Sequence, residues 1–312
     1  MKNELFDFED GNGPVPAVRH SNGGGWVACT AEVDETAFVA TTARVSGEAR
    51  VLDNAWVSDT AWVFGDARVS GDARVYGSAW VSDNARVSDN AEVFGDAWVL
   101  DDSQVFGYAR VFGNARIFGN PQVYGSARVY DNARVAENAR VYGNARVFDS
   151  AQVSGDAWAS DNARIFGNAQ VYGSAGVSVN ARVHDNAQIF GNAWVLGDAW
   201  VFGSAQVFEN ARVFENAKAF GNARVFGDAQ VFNYATVQDD VSQSPIFIGG
   251  LSYPITIMDR SVRAGCECRT FPEWEEMTAE QIAVMDGGKA VDFYPTLIGI
   301  MDLLCKDREQ RG

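Results

Sequence analysis

The chain has 312 residues, with 25 Lys and Arg against 41 Asp and Glu and a net charge of −16, which argues against a nucleic-acid backbone or an anionic membrane surface as the main partner. Four cysteines, Cys29, Cys266, Cys268 and Cys305, are too few and too unevenly placed for a disulfide framework, so reduced thiols are expected. The acidic N-terminus MKNELFDFED lacks the apolar stretch of a secretory signal, and no run approaches the ~18 apolar residues of a membrane span, so a cytoplasmic protein is expected.

In chain order, residues 1–24 include Pro14, Pro16 and a GGG run before Trp26, and read as a leader that covers the start of the repeat. From Val27 to Val237 an aliphatic residue recurs every six positions without insertion or deletion, giving 36 hexapeptides whose weakest members are Ala159 and Ala219. The unit is V, then F/Y/S/L, G/D, N/D/S, A and R/Q/W, as in Val87-Ser88-Asp89-Asn90-Ala91-Glu92. Gly, Asp and Asn return too often for a helix and leave only short extended pieces. What remains is a coil of short strands that turns at each polar pair. Alternation puts the aliphatic side chain inward and its two neighbours outward, with Ala at a tight inner corner where only a small residue fits.

Residues 25–240 therefore form one repeat domain, and residues 241–312, which lose the period, form a small α+β cap. The cap should begin with PIFIGGL, continue as a hairpin over YPITIMDRSVRAGC and enter a helix at TFPEWEEM, where Thr270 and Glu273 make a capping-box pattern. Gly287-Gly288 should end that helix, and a second should run from about Pro295 to Lys306 with Leu297, Ile300, Met301 and Leu304 on one face. A cap has a physical role here, because stacked strands expose unpaired backbone groups at both ends.

The pattern resembles that of the hexapeptide-repeat proteins, whose aliphatic residue followed four positions later by a small one builds a left-handed parallel β-helix. The resemblance implies a mainly β fold with triangular coils, each made of three hexapeptides. Thirty-six hexapeptides then make about 12 coils, ~58 Å of stacked strands at ~4.8 Å each. The N-terminal NGGGWV, the uninterrupted repeat and the tail with GCEC and TFPEWEEM together resemble a group of bacteriophage and prophage proteins. That resemblance implies a phage origin and supplies no mechanism.

Residues one coil apart should stack, so the faces can be written out. On the face built from Val75, Val93 and Val111, the position after the core residue reads Tyr76, Phe94, Phe112, Tyr130, Phe148, Phe166, His184, Phe202, Phe220. The position before it reads Arg110, Arg128, Arg146, Arg164, Arg182, then Trp200 and Lys218. A second face carries Trp62, Trp80 and Trp98, then Gln152, Gln170, Gln188 and Gln206, and a third carries Phe106, Tyr124 and Tyr142. Stacking alone accounts for scattered rows, as ladders do in cross-β assemblies. It accounts less well for a nine-coil aromatic stripe beside arginines ~4.8 Å apart, which repel unless carboxylates or an acidic partner neutralise them. This arginine face is the candidate interface, with self-association favoured over a foreign partner. Corner acids such as Asp66, Asp72, Asp83, Asp89, Asp96 and Asp102 read first as turn chemistry and second as a nucleic-acid decoy.

Catalysis has few candidates. Many hexapeptide-repeat proteins are acyltransferases with a His base on a loop leaving the helix, but no loop leaves this repeat, His20 precedes it and His184 sits within the ring ladder. A zinc site of the carbonic-anhydrase kind needs three His ligands. Cys266-Glu267-Cys268, with two thiols on one side of a strand, lacks further ligands apart from Cys305 and reads as cap thiols. There is no GxSxG and no phosphate-binding Gly loop. The expectation is a non-enzymatic protein-binding scaffold, homo-oligomeric, with no cofactor or metal, no direct nucleic acid and no membrane. An acyltransferase is the first alternative and a virion or tail component the second.

Overall fold

The computed structural model describes residues 3–305, and the chain divides into two compact units, Met1–Val179 and Asn180–Gly312. The fold is mainly β, a parallel β-solenoid of about 12 turns with a C-terminal cap of helix and antiparallel sheet. Each of the 36 aliphatic positions lies in a short strand. Within each unit a strand pairs in parallel with its equivalent one coil on, as Arg68–Val69 does with Arg86–Val87.

In the first unit, from Val39 onward, the inward residues are Val or Ile apart from Ala159, all at 0% exposure, and the Ala residues at the inner corners are equally buried. From Gly47 onward each corner turns through a residue with positive φ two positions after the core residue. Glycine occupies many of these corners, and Asp or Glu most of the rest. The corner acids also tie successive coils together. Gly71, Gly107 and Gly119 donate their N–H groups to Asp53, Asp89 and Asp101, at 3.0, 3.0 and 2.8 Å, across one coil. The next position carries Asn ladders, with Asn114 and Asn144 donating to Asn132 and Asn162. Stacked amides of this kind follow directly from an in-register repeat.

The N-terminal segment forms an antiparallel hairpin, Glu4–Phe6 with Val15–Arg19, and the second strand pairs antiparallel with Trp26–Ala28. It closes the first strand edge of that sheet and buries Phe8 with Ala17, Ala28 and Trp62. The GGG run crosses Val39 so closely that a Cβ on Gly25 would lie 2.4 Å from Val39 Cγ1.

In the second unit the strands again pair in parallel with their equivalents one coil on, as far as Thr236–Val237. A four-stranded antiparallel sheet follows, of Ile246–Ile248, Ile255–Ile257, Ser261–Ala264 and Glu267–Thr270, with the expected hairpin between its second and third strands. Helices α1 (Phe271–Glu275) and α2 (Ala279–Leu304) cover it, and α1 starts at the expected Thr270–Glu273 capping box. The cap engages the last coil through Arg263 Nη1 donating to Gln238 Oε1 at 2.9 Å and Thr236 N–H donating to Thr256 Oγ1 at 3.4 Å.

Three local expectations change. The helix from TFPEWEEM ends at α1, and a new one starts at Thr278, which makes its own capping box with Gln281. The stop at Gly287 is a kink inside α2, where Asp286 and Gly287 leave helical geometry, so the second limb begins well before Pro295 and carries that proline internally. Burial of Ala290, Phe293, Leu297 and Met301 along one face outweighs the hydrogen bond Pro295 forfeits. The expected end at Lys306 lies outside the described residues. Cys266 sits in the turn before the last strand and Cys268 within it, so the two do not share a strand face. No helix among the described residues is long and apolar enough to cross a membrane.

Candidate functional site

The arginine face begins from a physical constraint. Residues after each core position cannot point inward, and the in-register pairing places each over its equivalent one coil away. In the first unit Tyr76, Phe94, Phe112, Tyr130, Phe148 and Phe166 stack with centroids 4.7 to 5.0 Å apart and planes within 4°. In the second, His184, Phe202 and Phe220 stack at 5.2 Å with planes 10° apart, and Arg263 from the cap lies 5.5 Å over Phe220. The rings are half-buried in both units, because within each unit the stacked ring faces cover one another and the edges meet solvent. The sequence-level picture of an exposed aromatic surface is thus replaced by a stiff edge-on wall. Burial raises the Tyr76 phenol, and raises that of Tyr130 against the opposing pull of Arg146.

The arginines run alongside. Arg110, Arg128, Arg146 and Arg164 occupy consecutive in-register strands of the first unit, and Arg182 pairs with Trp200 in the second. Arg110 has a carboxylate: its Nε is 2.8 Å from Glu92 Oε2, an ion pair whose atoms are not aligned as a hydrogen bond. Arg164 lies 5.6 Å over both Phe148 and Phe166, with its Nε buried and unbonded. Arg182 lies 4.7 Å over Trp200. Arg128 and Arg146 are exposed and form no ion pair among the described residues.

A second arginine row, Arg50, Arg68 and Arg86, lies on another face of the same unit and shows what neutralisation looks like. Arg50 pairs with Glu32 at 3.2 Å, and the row shares a polar recess with Glu48, Asp66 and Asp102 at the adjoining corner. The equivalent corner beside Arg110, Arg128, Arg146 and Arg164 carries Tyr108, Ser126, Asn144 and Asn162. The uncompensated cations were not distinguished by reading the row alone. At Arg50 and Arg68 the residue two positions upstream, Glu48 and Asp66, carries the difference, whereas Arg86 has Asn84 there and shares the recess with Asp102 of the next coil.

The remaining candidates take structural positions. Trp80 and Trp98 stack at 5.0 Å, whereas Trp62 turns edge-on to Trp80 and donates its Nε1–H to Ser46 at 2.9 Å. His20 is buried against the backbone carbonyl of Asn22, and His184 Nδ1 lies 3.2 Å from Asp185. Burial, then the charge of Asp239, pushes the Cys268 thiol up to about 11, so it stays protonated. Among the described residues no group of His, Cys, Asp and Glu could hold a metal ion.

A family model described as the YdcK Beta solenoid repeat matches residues 67–83, 127–141 and 139–155. No curated protein matches the chain. Those stretches cover much less than half of the sequence, and all fall within the coils whose strands are described above. On that ground the chain is similar to the YdcK repeat and is a repeat protein of the β-solenoid kind.

Proposed function

We propose that this chain is a non-enzymatic β-solenoid scaffold that binds protein through its arginine face, self-association included. The observation that carries the reading is the stack of Arg128, Arg146 and Arg164, each with a neutral residue two positions upstream, in a chain whose net charge is −16. Like charges in register cost free energy, and a partner's carboxylates would offset that cost. The edge-on rings contribute a rigid wall that loses little conformational entropy on docking. His184 serves as a member of that wall, within 10° of the Phe202 plane, rather than as a base in a pocket.

The accessory role of a phage protein that engages a host protein and blunts a host defence is part of the same proposal. It is supported by the resemblance of NGGGWV, the repeat and the GCEC tail to phage and prophage proteins, and it sets the host cytoplasm as the working compartment. The test is affinity capture from host lysate with the wild type beside a Phe148→Glu, Phe166→Glu variant. The variant should lose specific captures. If it keeps every interaction and its own association state, the face is not an interface. An acyl-CoA-dependent transfer abolished by His184→Ala would replace the scaffold with an enzyme.

A further inference from the structure

We propose that the arginine face docks on the same face of a second copy, in antiparallel orientation, about a twofold axis between the Glu92 and Arg110 strands. This rests on the reading of that face as a protein interface, and it names the occupant.

The argument comes from how charge is distributed along the face within the first unit. Toward the N-terminus its strands carry Trp56, Arg74 and Glu92, with Asp72 on the adjoining corner. Toward the C-terminus they carry Arg110, Arg128, Arg146 and Arg164, with the neutral Tyr108, Ser126, Asn144 and Asn162 two positions upstream. Positive-φ acids edge both halves, Asp53, Asp59 and Asp89 in one and Asp131, Asp149 and Asp161 in the other, each turning an oxygen to an amide of the next coil, so they do not set the difference. One face is therefore mildly acidic at one end and strongly cationic at the other.

Antiparallel pairing sets each end on its complement. Arg110 comes opposite the partner's Glu92, which merges two half-buried ion pairs into a four-membered network across the axis. Arg146 comes opposite the partner's Trp56, a 43% exposed ring with one face stacked on Phe38, whose exposed surface takes the apolar stem of the arginine. Arg128 meets the partner's Arg74, a like-charge contact that the twofold makes twice, with the Asp72 carboxylate beside it each time. Both copies are built on one strand spacing of ~4.8 Å, so a match made at one strand holds at the others. Parallel pairing would set arginine on arginine. The twofold arrangement also closes, which stops growth at a dimer.

Eight strands from Phe38 to Arg164, with Arg164 opposite the partner's Phe38, offer roughly 570 Å² per copy, or ~1,100 Å² in all, near the lower bound of specific interfaces. The dimer should therefore be weak and salt-sensitive.

Sedimentation equilibrium of the full chain at roughly 0.05 M and 0.5 M salt should show a dimer at the first and predominantly monomer at the second. Arg146→Glu should weaken dimerisation at least ~10-fold while leaving the melting curve unchanged, since Arg146 is exposed and makes no ion pair. Geometry is read by a Trp56→Cys, Arg146→Cys variant in a Cys29→Ser, Cys266→Ser background under mild oxidation. Within one chain these positions are five strands apart, ~24 Å, too far for a disulfide, so only the antiparallel dimer links them. Expected is a covalent dimer, with neither single variant linking. A monomer at both salts, an open polymer, or a dimer indifferent to Arg146→Glu would overturn the proposal. If the chain is monomeric but Phe148→Glu, Phe166→Glu still loses its lysate captures, self-pairing falls and the interface reading stands.

Discussion

The repeat coils and the C-terminal cap bury a core in opposite ways. In the coils no inward side chain is larger than Ile, as at Ile117, Ile165 and Ile189, and each lies over its own equivalent one coil on. In the cap, Phe271, Trp274, Phe293, Leu297 and Met301 are each used once, in shapes that fit only one another. Spacing specifies the coils, and individual shapes specify the cap. Corners in the coils are held by contacts between copies of one turn, whereas the bend in α2 is held by a hydrogen bond from Tyr253 to Asp286, which pushes the phenol up to about 12.

That contrast can be broken by mutation. Trp274→Ala should have the largest effect, about 3–5 kcal/mol, because it empties the cap core and strands the Val262 carbonyl that Trp274 Nε1–H reaches at 2.7 Å. Hydrogen exchange should then quicken in the cap and not in the first unit. Ala127→Leu should do the reverse, at about 3 kcal/mol, since a fully buried inner corner has no room for three more carbons. If either variant loosens both regions equally, the two cores are one cooperative structure and the contrast fails.

A glycine pair sharpens the point. Gly113→Ala should cost about 2 kcal/mol in denaturant unfolding, combining a positive φ with a Cβ only 2.8 Å from Asp131 N. Gly287→Ala meets open space, but φ 57° with ψ −142° lies outside the left-handed well, so its cost of about 2 kcal/mol should come from backbone strain alone. Gly113→Asp should be milder than Gly113→Ala, because its carboxylate can take the amide of the next coil as Asp101 takes that of Gly119. An Asp variant no better than Ala would show that corner acids are there for conformation alone.

The smallest effect is titration of a corner. The Gly203 N–H, and then the His184 side chain, hold the Asp185 carboxyl below the usual carboxylate range. A carboxyl depressed in the folded state contributes stability that is fully present above its unfolded value of about 3.9 and is lost as pH falls through its folded value. Asp185 is exposed, so solvent screening keeps the contribution small. Melting temperatures of wild type and Asp185→Asn should differ near neutrality and converge in acid. A difference that persists in acid would mean that the carboxylate charge is irrelevant to the corner.

The sequence made the coils legible because one number, six, determines which residues face inward, which turn, and which neighbours meet one coil apart. Val111, Ala127 and Phe112 were placed from that alone. The reach of Asp53 to Gly71, and the coplanar stacking that half-buries Phe112, are matters of side-chain torsion and lie below what a period encodes. In the cap, Thr270 and Glu273 announced a helix start because a capping box is local. Pro295 misled because a local breaker was outweighed by burial of Phe293, Leu297 and Met301, which is decided by distant contacts. The charge asymmetry of the arginine face was present in Asn144 and Ser126, but only a comparison with the Arg50 row gives those residues meaning.

The unvarying register between turns has an evolutionary consequence. Excising or duplicating one whole coil anywhere inside the repeat rejoins each wall to an identical wall, with every corner acid still meeting an amide one turn along. An indel that is not a multiple of six turns the core residues out of register on every wall from that point on. Turn number is then a nearly neutral, heritable variable that lineages can ratchet up or down by recombination between near-identical segments, while selection erases every other slip.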